Sequence, residues 1–195
     1  LTAAAELEAL VEEAETLLGQ ITIGTGVGKY SSSYDNDEAA YAAIVDYSQN
    51  SAATATDEDI QVKMNELQAI IASFSLNMPE KGKYYRFKDW NTDNYMLSDE
   101  HDATHLAMGN GELASAIFYY GEDGSLLSYA NGCYLPKAVA SGDWTCLAVG
   151  VAGPAATFGA GSAKGTYGFY VGDDSERAYY SGRDTYVDAG GTFGS

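Results

Sequence analysis

Three groups of neighbouring side chains place an aromatic ring beside a carboxylate or an amide. They are Asp89, Trp90 and Asn91; Asp143 and Trp144; and Asp184 and Tyr186. An aromatic ring offers an apolar platform for the C–H face of a sugar, and carboxylates or amides bond to the sugar hydroxyls. These residue types therefore predict carbohydrate-binding positions at Trp90, Asp143, Trp144, Asp184 and Tyr186. The alternative is that the rings fill a hydrophobic core, as many of the 16 tyrosines must do.

Residues suited to catalysis or metal binding are few and follow no known catalytic spacing. His101 and His105 lie four residues apart in SDEHDATH, but the chain has no HExxH pattern and no Gly-x-Ser-x-Gly elbow. The stretch GTGVGK at 24–29 lacks the Ser or Thr that follows the lysine of a phosphate-binding loop. The acidic turns do not have the ligand spacing of a calcium-binding loop. We therefore expect a protein that is not an enzyme and has no cofactor and no metal site.

The two cysteines, Cys133 and Cys146, lie 13 residues apart. Two such residues do not define a redox compartment, and no CxxC pair supports a zinc cluster. Two interpretations stay open, namely a pair of buried thiols or one disulfide.

The charge of the chain excludes several partners. The net charge is −18, with only 10 basic residues, so the surface cannot neutralise the phosphates of nucleic acid or an anionic membrane. No run of apolar residues is long enough for a membrane-spanning helix. The sequence begins with neither an initiator Met nor a signal-peptide pattern, and we expect a mature or excised piece of a larger extracellular or cell-surface protein.

Residues 1–78 have the periodicity of amphipathic helices. One apolar stripe recurs at steps of three and four and comprises Leu7, Leu10, Val11, Ala14, Leu17 and Leu18. Gly19 is a predicted stop, Asp35 with Glu38 is a predicted second start, and Thr56 with Asp59 is a third. The third helix presents Ile60, Met64, Leu67, Ile71 and Phe74 on one face. Met78-Pro79 is predicted to end it, so residues 1–78 predict a three-helix bundle.

From residue 79 onward the pattern is typical of an all-β domain. The predicted strands cover 84–89, 95–98, 104–109, 115–120, 125–130, 133–138, 145–150, 155–160, 165–171, 177–182 and 185–190. Similar segments begin near 84, 126 and 166, at offsets of 42 and 40 residues. Three units of this length with four strands each predict a β-trefoil over 79–195. By these offsets the last strand would lie beyond Ser195, so we expect it to be missing from the chain as given.

Both halves resemble modules of large secreted bacterial proteins. ETLLGQ, the GKYSSS loop before DEAAYAAIVDYSQ, and LQAIIASF resemble FIVAR-type three-helix spacers. GKYYRFKDWNTDNYMLSD, SAIFYYGEDGSLLSYANGCYL and GTYGFYVGDDSERAYYSG resemble ricin-type β-trefoil modules of carbohydrate-active proteins of gut bacteria, although the Gln-x-Trp signature of that family is absent. The ricin-type resemblance implies sugar binding in shallow pockets, and it adds Asp99, which follows the second strand, to the candidate residues.

Together these features predict an α+β chain of two segregated domains that acts as a non-catalytic carbohydrate-binding accessory module, with a glycan as its partner. The alternative is a structural spacer or protein-interaction module of a larger extracellular enzyme, adhesin or filament, without a glycan site.

Overall fold

The computed structural model describes residues 1–34, 37–102, 105–137, 139–141, 144–146, 153–173, 178–180 and 188–189. The chain divides into two compact units, Leu1–Asn77 and Met78–Ser195. Three helices and several small antiparallel sheets make it a mixed α+β protein. No helix among the described residues is long and apolar enough to cross a membrane.

The first unit is built from α1 (Ala3–Gly19), α2 (Asp37–Asn50) and α3 (Asp57–Ser73). The predicted stop at Gly19 and the predicted start at Thr56 are both present. Thr56 Oγ1 accepts a hydrogen bond from the Asp59 N–H at 3.2 Å and donates one to Asp59 Oδ2 at 2.7 Å, which satisfies an N–H that the first helical turn leaves unpaired. The predicted start at Asp35 lies outside the described residues.

The three helices bury one aliphatic core. Its fully enclosed members are Leu7, Ala14, Ile44, Ala52, Ile60, Leu67 and Ile70. Several of them belong to the predicted apolar stripes, because positions three and four residues apart share one helix face.

The end of the third helix differs from the prediction. The helix stops at Ser73, and Phe74–Leu76 forms strand β2, which pairs with β1 (Tyr30–Ser32). The Asn77 amide then donates to the Gly24 and Gly26 carbonyls at 2.8 and 3.0 Å. The pairing of β1 with β2 therefore ends α3 before Pro79 is reached. It also places Tyr30–Ser32, which belong to the predicted GKYSSS loop, in a strand.

The second unit consists of short antiparallel strands. They are β3 (Lys83–Tyr85), β4 (Tyr95–Glu100), β5 (Leu106–Gly109), β6 (Phe118–Tyr120), β7 (Leu126–Ser128), β8 (Val139–Ser141), β9 (Trp144–Cys146), β10 (Ala156–Ala160), β11 (Tyr167–Val171), β12 (Ala178–Tyr180) and β13 (Asp188–Ala189). The sheet orders are β3-β6-β7, β4-β5, β8-β9 and β10-β11-β12-β13. Strands lie at the predicted repeat positions near 84, 126 and 166, but the threefold arrangement stays a prediction.

Two local predictions were wrong in the second unit. The predicted strand at 133–138 is reduced to one bridge between Tyr134 and Leu127, since Pro136 has no N–H to donate to a ladder. Strand β8 lies where no strand was predicted.

The core of the second unit is rich in aromatic rings. Its buried members are Met96, Leu106, Met108, Phe118, Tyr120, Leu126, Leu135, Ala156, Phe169 and Val171. The Phe87 ring packs against this core and lies 4.9 Å, centroid to centroid, from Phe169. From Tyr84 to Lys88 the side chains alternate between core and solvent, as extended backbone requires. This alternation fixes the outward direction of Tyr84, Arg86 and Lys88.

Candidate carbohydrate-binding groove

Trp90 lies at the exposed tip of a tight turn, with 62% of its surface accessible. The turn is organised by its neighbour Asp89, which is buried. Asp89 Oδ1 accepts a hydrogen bond from the Asn91 N–H at 3.3 Å, and Oδ2 accepts one from Thr92 Oγ1 at 3.1 Å. Because both carboxylate oxygens of Asp89 serve the turn, this residue supports the loop beneath Trp90.

Asp99 lies exposed near the end of β4. Its neighbour Ser98 is buried and bonds to the end of β7 and to the turn that follows. Ser128 Oγ donates to Ser98 Oγ at 2.7 Å, and Asn131 Nδ2 donates to the Ser98 carbonyl at 3.4 Å. Within the described part of the chain, no hydrogen bond joins the side chains of Asp99 and Trp90. Trp90 and Asp99 are therefore two separate candidate positions, and sugar binding at each of them stays a prediction.

The other candidates fall at the edge of the described residues or outside them. Asp143, Asp184 and Tyr186 lie outside them. The backbone of Trp144 begins β9, opposite Ser141. These positions stay predictions.

The two cysteines have different surroundings. Cys133 is half-buried and is a free thiol in the structure, and its Sγ donates a weak bond to the Asn131 carbonyl at 3.8 Å. The backbone of Cys146 lies opposite Val139 in the β8–β9 pair. The side chain of Cys146 is outside the description, so a disulfide stays a prediction.

The two histidines belong to the turn between β4 and β5. His105 is almost fully buried, and its Nδ1 lies 2.9 and 3.0 Å from the two carboxylate oxygens of Asp102. The His105 N–H also donates to Asp102 Oδ1 at 2.9 Å, and the His101 N–H donates to the His105 carbonyl at 2.8 Å. Across the described ranges, no three His, Cys, Asp or Glu side chains are arranged to hold a metal ion. The pair therefore shapes a turn.

A groove of about 730 Å³ lies on the outward face of the segment that begins the second unit. We call it the tyrosine groove, and it is lined by Tyr84, Tyr85, Arg86, Lys88, Tyr95, Ile117 and Tyr129. None of these residues is among the candidates from the sequence.

Strand register brings the lining residues together. Tyr84 lies opposite Tyr119 in the β3–β6 pair, and the Tyr129 N–H donates to the Ile117 carbonyl at 2.9 Å. Lys88 and Tyr95 form a β-bridge. Because backbone hydrogen bonds fix these positions, the groove exists before any ligand arrives, and a preformed site avoids the cost of ordering loops on binding.

Two rings of the tyrosine groove are largely exposed to solvent. Tyr84 and Tyr129 are 60% and 64% exposed, and their ring centroids lie 6.2 Å apart at 85°. Tyr119 supports the Tyr84 ring from 5.0 Å. Exposed tyrosines held by neighbouring rings are unusual on a soluble surface and typical of recognition sites.

Two further tyrosines are fixed at the base of the groove. The Tyr85 hydroxyl accepts a hydrogen bond from the Glu80 N–H at 2.7 Å and donates one to the Glu80 carbonyl at 3.1 Å. The Tyr95 ring lies directly on Gly111, where an added Cβ would come within 2.5 Å of the ring. Gly111 therefore allows the ring to lie flat against the backbone.

The tyrosine groove lies in the most cationic segment of an acidic chain. Residues 81–88 hold Lys81, Lys83, Arg86 and Lys88, out of 10 basic residues in all. Lys83 pairs with Glu80, and Lys88 pairs with Asp93 at 2.9 Å. The hydrogen bond that each ammonium donates to its carboxylate is the main reason that the pKa of Lys83 and of Lys88 is raised. Both amines therefore carry a positive charge at neutral pH.

Part of the tyrosine groove can be predicted from the sequence. Tyr84, Arg86 and Lys88 alternate with Tyr85 and Phe87 in YYRFK, and period-two alternation puts the first three on one face. Tyr95, Ile117 and Tyr129 come from other segments, which strand pairing brings alongside the first.

Comparison with known proteins gives one structural similarity. No protein-family model matches the sequence, and no curated protein matches it. Among solved structures, the chain is similar to a Macrolepiota procera ricin B-like lectin (MPL) in complex with lactose, at 14% identity and a TM-score of 0.49. The similarity covers 60% of this chain and 91% of the lectin chain.

Proposed function

We propose that this chain is a non-catalytic carbohydrate-binding accessory module of a secreted or cell-surface bacterial protein, and that the tyrosine groove is its binding site. The groove is the observation that carries the proposal. Its exposed Tyr84 and Tyr129 rings offer apolar platforms, while their hydroxyls and the side chains of Arg86 and Lys88 offer hydrogen bonds. Sugars need both kinds of contact at once.

The two units have different roles in this proposal. Leu1–Asn77 is a three-helix spacer bundle of the FIVAR type, whose carboxylates lie on solvated helix faces. Met78–Ser195 is a ricin-type β-trefoil with repeats that start near 84, 126 and 166. The sequence resemblances support both assignments.

The experiment is a glycan array with the intact chain, followed by calorimetric titration of any glycan bound. The Tyr84→Ala/Tyr129→Ala double variant should lose affinity at least about tenfold, because both platforms disappear. Trp90→Ala removes an exposed ring that does not line the tyrosine groove, and its affinity should stay that of the wild type. Far-UV circular dichroism of each variant verifies folding.

Two results would count against this proposal. If no glycan binds, the chain is better described as a structural spacer or protein-interaction module. If Trp90→Ala removes binding while the double tyrosine variant retains it, the site lies at the turn tip and the tyrosine groove has no role.

A further inference from the structure

We propose that the tyrosine groove is selective for acidic saccharides, and that Arg86 binds their carboxylate. This inference rests on the proposed function, and it names the class of sugar. Arg86 lines the groove between Tyr84 and Lys88, on the same outward face of the extended segment. A guanidinium at that position is within reach of any ligand that lies across the exposed tyrosine rings.

Arg86 differs from the lysines on either side of it. Lys83 is paired with Glu80, and Lys88 is paired with Asp93. Among the residues that the structure describes, no carboxylate lies within ion-pair distance of Arg86. Arg86 therefore presents a cation that none of the described carboxylates neutralises through an ion pair.

The acidic charge of the chain strengthens the argument that Arg86 binds an anion. With a net charge of −18, most of the surface repels an anionic ligand. Residues 81–88 contain four basic residues and no acidic residue. The densest run of basic residues in the sequence therefore includes Arg86 and Lys88 of the tyrosine groove, where an anionic ligand is repelled less than along the acidic parts of the chain. The exposed Lys83 and Lys88 pairs are individually weak, so a ligand carboxylate can compete with Asp93 or Glu80 for either amine.

The shape of the groups in the groove points to a carboxylated sugar rather than to a simple anion. Arginine holds a carboxylate through two parallel N–H···O bonds, which fixes the orientation of the bound group. The exposed Tyr84 and Tyr129 rings, at 85° to each other, offer apolar surface for the C–H face of a sugar ring. A uronic or sialic residue carries a carboxylate, an apolar face and several hydroxyls, and so matches all three kinds of contact.

The experiment is calorimetric titration of the intact chain with uronate and sialate oligosaccharides, each paired with its methyl ester. Esterification removes the charge and leaves the rest of the sugar unchanged. The wild type should bind the acid about tenfold more tightly than the ester, since hydrogen bonds to charged groups are the strong ones. Higher salt should reduce this preference.

Variants at Arg86 test the assignment to that residue. Arg86→Gln should bind the acid and the ester equally, and Arg86→Lys should retain part of the preference because the charge stays while the planar fork is lost. Lys164→Gln is the matched control, since it removes one exposed positive charge outside the groove. Its preference should equal that of the wild type.

The outcomes separate this inference from the proposed function. If acid and ester bind equally and Arg86→Gln changes nothing, acid selectivity is wrong and the carbohydrate site stands. If sulfated sugars bind more tightly than carboxylated ones, the carboxylate assignment is wrong. If neither the acids nor their esters bind while the glycan array finds another ligand, acid selectivity is wrong and the carbohydrate site stands. If the array finds no ligand either, the proposed function fails as well.

Discussion

The two units of this protein bury different kinds of core. The core of Leu1–Asn77 is aliphatic, with Leu7, Ile60 and Leu67 fully enclosed. The core of Met78–Ser195 includes Phe118 and Phe169, and it adds Phe87 and Phe158 as stacked neighbours at 6.1 Å. The fully buried residues of the first unit are all aliphatic and recur along helix stripes, whereas those of the second unit include the rings of Phe118, Tyr120 and Phe169.

The surfaces of the two units differ in charge and in their exposed aromatic residues. Residues 1–78 carry 13 acidic and 2 basic side chains, and the acidic groups lie opposite the predicted apolar stripes of the helices. The second unit places exposed tyrosines beside four cations in 81–88. The helical surface is therefore mainly acidic, while the exposed tyrosines and the densest run of basic residues belong to the second unit.

The largest expected effect comes from truncating a core residue in each unit. Phe118→Ala should lower the free energy of unfolding of the second unit by about 3–5 kcal/mol, and Leu67→Ala should lower that of the first by about 2–5 kcal/mol, because each leaves a cavity. Both tryptophans lie in the second unit, so tryptophan fluorescence during urea unfolding reports that unit. Circular dichroism at a helical wavelength reports the first unit.

Exposed substitutions supply the controls for this pair. Val62→Ala in α3 and Leu113→Ala in the second unit remove side chains that are 57% and 46% exposed, and each should change stability by about 0.5 kcal/mol or less. A similar shift of both signals by Phe118→Ala would contradict the description of two separate cores.

The next effect concerns the turn that presents Trp90. Asp89→Ala removes a buried carboxylate and leaves the Asn91 N–H and the Thr92 hydroxyl without their acceptor. The free energy of unfolding of the second unit should fall by about 1–3 kcal/mol. Asp93→Ala is the control, since Asp93 is 99% exposed and an ion pair between exposed side chains contributes little to stability. Equal effects of the two variants in urea unfolding would show that the turn does not depend on Asp89.

The sequence predicts local features better than features that depend on pairing. The start of α3 follows from Thr56 and Asp59, which are three residues apart, and the burial of Ile60 and Leu67 follows from helical spacing. Strand β2 was missed because its partner, Tyr30–Ser32, lies far away in the sequence. No local pattern encodes that register.

The tyrosine groove likewise could be predicted from the sequence only where it depends on local spacing. The outward face of Tyr84, Arg86 and Lys88 follows from period-two alternation alone. The approach of Ile117 and Tyr129 depends on the pairing of β6 with β7, which no single segment specifies. Trp90 was predicted because its ring lies between Asp89 and Asn91 in the sequence. The tyrosine groove, in contrast, is formed by residues that only the fold brings together.

A smaller effect is expected from the cap of α3 in the first unit. Thr56→Ala removes the acceptor of the Asp59 N–H and should cost about 1 kcal/mol of the stability of that unit. Thr56→Ser retains the hydroxyl and should restore most of the loss. The helical circular dichroism signal during urea unfolding measures both. The comparison would be contradicted if Thr56→Ala destabilised the first unit more than Asp89→Ala destabilises the second. The exposed cap would then contribute more stability than the buried carboxylate of the turn.

The smallest effect is a pH dependence in the turn before β7. Asp123 Oδ1 accepts hydrogen bonds from the Ser125 hydroxyl at 2.6 Å and from the Ser125 N–H at 3.0 Å. These bonds, the hydroxyl first, lower the pKa of Asp123 below its usual range, because they favour the charged carboxylate. The folded state therefore binds a proton less readily than the unfolded state does. The stability that Asp123 contributes is complete above its ordinary pKa of about 3.9 and is lost as the pH falls through the lower folded pKa.

Asp123→Asn tests this sign directly. The variant keeps an acceptor for Ser125 but cannot carry the charge, so the wild type should be more stable at neutral pH and the difference should narrow below about pH 4. Urea midpoints followed by tryptophan fluorescence at both pH values measure the difference, with Glu122→Gln as a control that removes a neighbouring charge from the same turn. A difference that stays constant down to acidic pH would mean that the Ser125 contacts do not discriminate between the carboxylate and its protonated form. The effect is small because the carboxylate is exposed and solvent screens it, in contrast to the buried Asp89 whose bonds organise the Trp90 turn.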